Sequence, residues 1–431
     1  MFRSLLLVAI RGRLACVCLA GLALAGPLGA GGFEYHHQSS KAMGMAGAFV
    51  AQAEGPSAVF YNIGALALTA KKPKTAAGAT SVNLNESLYQ GLPPGVGAET
   101  VGEQSEISNL RPHAFAAAPL GKTGKLGFGV TAPFAFETEW TDPGNFAGRY
   151  LVTAAELSTL DLTTGVSYEL APGVGVGAGV IYRTSDLTLI RRVPSFDPSA
   201  GEVVDVASLR LEATLDDGFG WTAGFLYRLS DSISIGGAYR SAIEIEYDGE
   251  ARFTQISTGN SSLDALIAAT TPFDEDLGFQ ARIEFPASAA LGLAFGVGAG
   301  TVIEVDANLT EWSSFDTLAL RLPDNPEFDE ERPQDFADSM AYRLGVKFET
   351  ASGSFLRFGV SMDETPQPEE TMGPLLPDAD RISYAVGFSK DWLDVAFLWL
   401  DVQGRTTQVN VDDLNGTYNS NAWVLGVTIN K

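Results

Sequence analysis

Long stretches of this chain alternate, residue by residue, between apolar side chains and polar or small ones. No stretch beyond Ala30 reaches the about 18 uninterrupted apolar residues that a membrane helix requires. From Ser232 to Asp248 one parity reads Ile233, Ile235, Gly237, Tyr239, Ser241, Ile243, Ile245, Tyr247, and the other Ser234, Gly236, Ala238, Arg240, Ala242, Glu244, Glu246. Leu160, Leu162, Val166, Tyr168 and Leu170 oppose Asp161, Thr163, Ser167 and Glu169 in the same way, as do Met340, Tyr342, Leu344, Val346 and Phe348 against Arg343, Lys347 and Glu349. Period-two patterning specifies β-strands with two unlike faces, and by itself fits a soluble sandwich as well as a barrel. Length decides. Several runs exceed ten residues, whereas soluble strands average about five or six, and a tilted strand needs about ten to cross a bilayer.

Runs of this kind fall near 75–88, 110–119, 124–136, 157–170, 173–187, 206–230, 232–248, 279–295, 298–316, 338–350, 353–363, 380–389, 391–404 and 420–431. Fourteen runs make an even number, as a closed antiparallel bacterial barrel requires. The 206–230 segment reads either as one long bent strand or as two. Tight connections (Glu169 to Gly173, Leu229 to Ser232, Thr350 to Ser354, Ser389 to Trp392) alternate with long ones (137–156, 191–205, 249–278, 317–337, 364–379), the inequality expected of periplasmic turns and external loops. Trp140, Tyr150, Trp221, Tyr247, Trp312, Tyr342, Trp392, Trp399 and Trp423 lie near run ends, where interfacial girdles are expected.

Composition agrees. Charged residues make up 19% of the chain, below the about 25% of soluble domains, and 47 of the 431 residues are glycine. Residues 1–30 have the layout of a secretory signal: Arg3, Arg11 and Arg13, the apolar stretch Leu14 to Ala25, then small residues and no acid before Glu34. Cleavage is expected after Ala30, with Ala23-Leu24-Ala25 as the other candidate. Removing those three arginines leaves 25 of the 28 basic residues against 52 acidic ones, a net charge of −27, and removes both cysteines, Cys16 and Cys18. So acidic a chain excludes nucleic acid as a partner. Gly31 to Lys72 lacks alternation and is rich in Gly and Ala; a fourteen-stranded barrel has a lumen too wide for wall side chains to fill, so this segment is expected to plug it, with the barrel occupying 73–431.

Gly32-Phe33, Gln38-Ser39-Ser40, Met43-Gly44-Met45-Ala46-Gly47-Ala48 and Ala58-Val59-Phe60-Tyr61-Asn62 resemble the N-terminal hatch of the outer-membrane long-chain fatty acid transporters, the FadL family with its toluene-transporting TodX relatives. Ala132-Pro133-Phe134, Gly148-Arg149-Tyr150, Tyr239-Arg240-Ser241, Asp363 with Thr365-Pro366, and Pro377-Asp378-Ala379-Asp380-Arg381 extend the resemblance, in family order, over the mature chain. Two departures stand out. Asn62-Ile63-Gly64 replaces the usual Asn-Pro-Ala of the hatch, and the chain ends Ile429-Asn430-Lys431 without the aromatic residue usual for barrel assembly.

The resemblance implies an all-β transmembrane antiparallel barrel of about fourteen strands, monomeric, in the bacterial outer membrane, that binds hydrophobic molecules between hatch and wall and releases them sideways. Phe33, Phe49, Phe60, Tyr61, Phe134 and Phe136 are the apolar ligand candidates. Arg183, Arg240 and Arg343 sit near inward parity and are candidates for a fatty acid carboxylate, or else for pairing with Glu244 or Glu349. Pro133 lacks the N–H that strand pairing needs and marks a candidate lateral gate. Leu263, Leu266 and Ile267, at helical spacing after Ser261-Ser262, form a candidate capture helix. The acidic loop residues Asp324, Glu327, Asp329, Glu330, Glu331, Glu364, Glu369 and Glu370 read as solvated faces or as cation-bridged contacts to lipopolysaccharide. With three histidines, His36, His37 and His113, catalysis is not expected, nor is a cofactor or metal. The competing reading is a general diffusion porin or a structural outer-membrane barrel.

Overall fold

The computed structural model describes residues 31–69, 72–84, 87–91, 100–273, 275–298 and 300–431; the expected signal segment lies outside the described residues. Among these, fourteen strands close into one antiparallel barrel. They are β1 (Lys74–Leu84), β2 (Ile107–Leu120), β3 (Gly124–Thr131, resuming as Ala135–Glu139), β4 (Ala154–Ala171), β5 (Val174–Asp197), β6 (Glu202–Ser230) and β7 (Ile233–Arg240, resuming as Ile243–Gln255). The circuit continues with β8 (Leu277–Phe285, resuming as Ser288–Gly296), β9 (Thr301–Thr310), β10 (Ser339–Glu349), β11 (Phe355–Asp363), β12 (Arg381–Lys390), β13 (Leu393–Val402) and β14 (Asn421–Asn430). Closure comes from β1, which pairs with β14 at Ala79↔Val427 and with β2 at Ala76↔Phe115. Each run expected from alternation is present, and 206–230 is one strand.

Tight turns gather at one end and long connections at the other, which orients the short-turn end to the periplasm. Asp391 (φ 53°) and Gly173 (φ 78°) supply left-handed residues for two of those turns. Outward parity carries Phe128, Trp221, Phe225, Leu291, Tyr384, Phe397 and Leu425, all exposed on a face that only lipid would favour. Trp221, Trp392 and Trp399 lie on the outside as a girdle should, but Trp140, Tyr247 and Trp312 are buried, because they pack among loops and lumen side chains above the bilayer.

The 191–205 segment is not a loop: β5 and β6 run on as a ribbon to Asp197 and Glu202. The reason is a reversal of parity in three neighbouring strands. In β6 it occurs near Leu215 (φ 62°), in β7 at Ser241-Ala242 and in β8 at Pro286-Ala287. On the periplasmic side of this level the large residues Phe219, Trp221, Phe225, Leu291 and Phe295 face outward. Beyond it Leu209, Leu211, Ile243, Ile245, Phe279 and Ile283 are buried inside, while Glu244, Glu246, Asp248 and Arg282 are exposed. Outside the bilayer the favourable placement inverts, since water now bathes the outer face. The single greasy face expected over Ser232 to Asp248 is therefore two half-faces pointing opposite ways. Four short strands (Leu88–Gly91, Thr100–Glu103, Arg405–Thr407, Gly416–Asn419) form a small sheet among the external loops that alternation did not reveal.

Candidate functional site

Residues 31–69 lie within the barrel, nearly all buried or half-buried. Ser39 caps α1 (Ser40–Met43) by accepting from the Ala42 N–H at 3.3 Å. After α2 (Ala58–Tyr61), Asn62 caps a 3-10 turn, Ile63–Leu68: its Oδ1 accepts from the Gly64 N–H at 3.1 Å, and its Nδ2 donates to the carbonyls of Val50 (2.9 Å) and Phe225 (2.8 Å). That bonding supplies the turn without the usual proline. Gly64 is required because the wall comes so near: a Cβ there would sit 2.4 Å from the Gly224 carbonyl oxygen. Likewise a Cβ on Gly359 of β11 would meet the Met45 carbonyl carbon at 2.1 Å. On β9 two buried carboxylates grip the next hatch loop. Asp306 accepts from the N–H groups of Phe49 (2.8 Å) and Val50 (3.1 Å), and Glu304 from that of Ala51 (2.5 Å).

The three candidate arginines form a polar belt with partners other than those expected. Arg183 is locked to Asp161 by two hydrogen bonds of 2.7 and 2.8 Å and lies over the rings of Phe134 and Phe285. Arg240 stands 3.6 Å from the same Asp161, donates to the Phe60 carbonyl (3.1 Å) and covers the Phe60 ring. Arg343 bonds Asp363 at 3.0 Å, leaving its Nε and Nη1 without a hydrogen bond among the described residues. Glu244, by contrast, points outward to Arg282, because the reversal in β7 turned it away from the lumen. No ion pair of Glu349 is found among the described residues.

Above this belt the lumen is apolar. Phe33 is its hub, with ring centroids of Phe134, Phe136, Phe285, Trp312 and Phe315 between 4.7 and 6.2 Å away. Phe49, Phe60 and Tyr61 sit apart from it, in the hatch cluster. Tyr61 is a strut there, accepting from the Gln38 N–H (2.8 Å) and donating to the His36 carbonyl (3.1 Å). Packing thus separates the aromatic candidates into a set held within the hatch, Phe49, Phe60 and Tyr61, and a lumen set, Phe33, Phe134 and Phe136.

The wall is broken at Ala132-Pro133-Phe134. β2 and β3 pair from Leu120↔Gly124 to Ala114↔Val130 and no further, so Ile107–His113 and Ala135–Glu139 face each other without a ladder. Hatch and neighbours satisfy the freed groups: Tyr35 N–H donates to the Pro133 carbonyl (2.6 Å), Ala135 N–H to the Phe33 carbonyl (3.1 Å), Gln38 bonds both N–H and carbonyl of Ala132, and Phe134 N–H donates to Thr159 (3.0 Å). Across the gap the side chains of Asn109 and Glu137 are hydrogen-bonded. A cavity of about 200 Å³ lies behind the gap and one of about 300 Å³ within it; both are lined by Asn109, Arg111, Ala135 and Phe136. Pro133 is at the break, and Phe136 at the junction of the cavities.

At the external end, Ser261–Thr270 is helical (α3), capped not by a serine but by Asn260, whose side chain accepts from the N–H groups of Ser262 and Leu263. Leu263 is buried against its loop, Ile267 is half-buried and Leu266 is 59% exposed. Hydrogen bonds from Thr258 and Ser257 hold the Asp264 carboxyl below its ordinary pKa. In the 364–380 loop, burial raises the Asp378 carboxyl, which accepts from Thr365 (2.7 Å) and from the Gly32 N–H (3.3 Å).

Sequence reasoning did not single out Asp161, Glu304 or Asp306, although their inward parity was readable; Asp363 and Arg381 entered it through the family resemblance without a role, and Arg111, which lines both cavities at the wall gap, was not singled out. Residues 21–431 match the family model described as outer membrane protein transport protein (OMPP1/FadL/TodX). The chain is 22% identical over 438 residues to the long-chain fatty acid transport protein of Escherichia coli K12, covering 93% of this chain and 94% of that protein. It is 22% identical over 420 residues to a 47 kDa outer membrane protein of Pasteurella multocida, covering 94% and 95%. Among solved structures it resembles a Pseudomonas aeruginosa FadL homologue (TM-score 0.76, 21% identity, 93% of this chain and 99% of that one). It also resembles the Pseudomonas putida toluene transporter TodX (TM-score 0.68, 17% identity, 92% and 99%).

Proposed function

The chain belongs to the OMPP1/FadL/TodX family of outer membrane transport proteins, and from that premise we propose that it takes up hydrophobic molecules into an apolar lumen site and releases them sideways into the membrane. That it is an outer-membrane barrel transporting fatty acids or hydrophobic aromatics follows from membership; the route is our reading. The observation that carries it is the gap between β2 and β3, with one cavity behind it and another within it sharing Arg111 and Phe136. A water-filled pore offers an acyl chain nothing, whereas an apolar pocket contributes about 0.8 kcal/mol per buried CH₂, and an opening at bilayer depth spares the molecule a second passage through water.

In this reading Phe33, Phe134 and Phe136 line the ligand's path, Phe49, Phe60 and Tyr61 shape its floor, and Pro133 keeps the gate from zipping shut. Arg183 is consumed by Asp161. Arg343 and Arg240 are the ones left to meet a polar head. The exposed Leu266 of α3 offers the first apolar contact at the mouth, and the hatch closes the periplasmic end. The partners are the lipophile itself and the surrounding lipid and lipopolysaccharide; one copy suffices.

Liposome swelling paired with mass spectrometry of lipophiles that co-purify with the solubilised protein tests the reading. It expects exclusion of small sugars and a retained hydrophobic ligand. Free sugar permeation with no lipophile bound would establish a diffusion porin instead.

A further inference from the structure

The chain carries a net charge of −24, yet its lysines are not spread over it. Lys71 lies outside the described residues, and every other lysine is at the periplasmic end. Lys41, Lys74 and Lys347 line a cavity of about 910 Å³ among the periplasmic turns, and Lys125 is buried on β3. Lys72, Lys122, Lys390 and Lys431 are exposed at the rim, and none of them has an ion pair among the described residues. Arginine is distributed differently. Among the described residues Arg228 and Arg357 are the two at this end, and both turn inward. Arg228 lines the same cavity and donates to the Leu68 carbonyl (3.4 Å), while Arg357 is buried against Glu54 (3.2 Å) and Ser389.

The exposed lysines share one side of the barrel. Lys390 ends β12 at the turn to β13, Lys431 follows β14, Lys72 precedes β1 and Lys122 is in the turn from β2 to β3, so they occupy one continuous arc of neighbouring strands. The remaining periplasmic turns, 172–173, 231–232, 297–300 and 350–354, hold no lysine or arginine; Asp231 is in one of them and Glu349 beside another. Within the arc Asp391 lines the cavity on the lumen side, and the carboxylate of Lys431 offsets that residue's own ammonium. Lys72, Lys122 and Lys390 are left as uncompensated charge. Next to the rim the wall forms a shallow trough. Outward parity on β1 carries Thr75, Ala77 and Ala79, and on β2 it carries Ala114, Ala116 and Ala118, while their inward neighbours Ala76, Phe115 and Ala117 are buried. Taller exposed residues flank these: Val427 and Ile429 of β14, paired with Ala79 and Ala77, and Leu126 and Phe128 of β3, paired with Ala118 and Ala116. Trp392, 57% exposed two residues after Lys390, is placed as an interfacial anchor.

We propose that this arc is a binding surface for anionic phospholipid of the inner leaflet, with Lys72, Lys122 and Lys390 taking the headgroups and acyl chains lying in the trough over β1 and β2. An ammonium on a flexible apolar stem can rest along the wall and still place its charge among phosphates. Each lysine close to an anionic surface strengthens attachment on the order of fivefold. The many carboxylates of the external loops do not cancel this, because they lie across a hydrocarbon layer about 30 Å thick, several times the screening length of about 8 Å at physiological salt. A second copy is the competing occupant of a flat, small-residue face. A twofold contact there would bring the same uncompensated lysines face to face, which charge repulsion opposes, whereas an anionic lipid neutralises them. The proposal is independent of the cargo and of its route.

The test places the full barrel in bilayers of equal phosphatidylglycerol and phosphatidylcholine, extracts it gently and counts the retained lipids by native mass spectrometry. Phosphatidylglycerol should be retained about tenfold over phosphatidylcholine at about 0.05 M salt, and the preference should fade at about 0.5 M. Lys72→Gln/Lys122→Gln/Lys390→Gln should bring the ratio to within about twofold of parity, and the same three changes to arginine should keep it, because the charge remains. Ala77→Leu/Ala116→Leu should lower the number of lipids retained with the lysines untouched. Heat resistance on unboiled gels confirms folding; should the triple variant fail it, the single glutamine variants, each expected to lower the ratio about twofold, carry the test. A wild-type ratio near one, or a preference that the glutamine variants leave unchanged, overturns the proposal. A dimer that the Ala77→Leu/Ala116→Leu pair disperses while the lipid ratio stays the same would assign this face to a second copy and overturn it as well.

Discussion

The grip of β9 on the hatch is the joint on which closure should turn. Val50 lines a cavity of about 30 Å³ with Phe60 and Arg240 on the lumen side, while Ala51 lines a vestibule of about 910 Å³ on the periplasmic side. One loop, Phe49 to Ala51, therefore stands between them, and Asp306 and Glu304 hold its three successive N–H groups. Replacing both by alanine removes three hydrogen bonds. A buried donor left dry costs about 1–3 kcal/mol, so the loop would lose about 3–9 kcal/mol if it stayed in place. It will not stay, because the vestibule gives water access to Ala51, and hydration limits the loss to the lower end. About 3 kcal/mol corresponds to a roughly hundredfold rise in the unseated population. Single-channel recording in planar bilayers should show the Glu304→Ala/Asp306→Ala barrel flickering open to ions while wild type stays closed. Asp306→Ala alone should open more than Glu304→Ala alone, since Asp306 holds two of the three N–H groups. A correctly folded double variant as silent as wild type would refute the claim that this grip seals the barrel.

Asp161→Asn should destabilise the barrel by about 3–5 kcal/mol in denaturant unfolding from micelles, because Arg183 and Arg240 lose their shared counter-ion in a buried site. Gly359→Val should prevent the hatch from seating, given the 2.1 Å approach of Met45, and would show as protease cleavage within residues 31–69 of an otherwise heat-resistant barrel. At low ligand concentration Leu266→Asp should slow uptake without altering stability, whereas Leu263→Asp should lower stability by about 1–3 kcal/mol because that side chain is buried.

The barrel was legible because its physics is local: alternation, run length and loop inequality located each of the fourteen wall strands, though not the short strands of the external loops. The parity reversals were not, since nothing in Ser241-Ala242 or Pro286-Ala287 says which side of each strand lies inside until the bilayer's outer edge is placed. That error carried over to the arginines. Glu244 looked like an inward partner for Arg240 only while one parity was followed across the reversal, whereas the true acid, Asp161, sits on another strand altogether. The glycine excess was visible as a number; its meaning, hatch and wall each shaved back where they meet, at Gly64 of the hatch and Gly359 of the wall, needed the two surfaces together. Pro133 was readable as a ladder-breaker, but the cavities that meet beside it, and hence Arg111 and Arg381, arise from packing between distant segments.

Lateral exit through the β2–β3 gap can be tested by closing it. Both native cysteines, Cys16 and Cys18, precede Gly31, so Asn109→Cys/Glu137→Cys places a lone pair of thiols across the opening in the chain from Gly31 onward, at side chains that are hydrogen-bonded to each other. A short bifunctional thiol reagent that reduction removes should abolish uptake of labelled hexadecanoic acid by cells that depend on this protein, and reductant should restore it. Uptake that continues at the wild-type rate with the pair fully bridged would contradict the account.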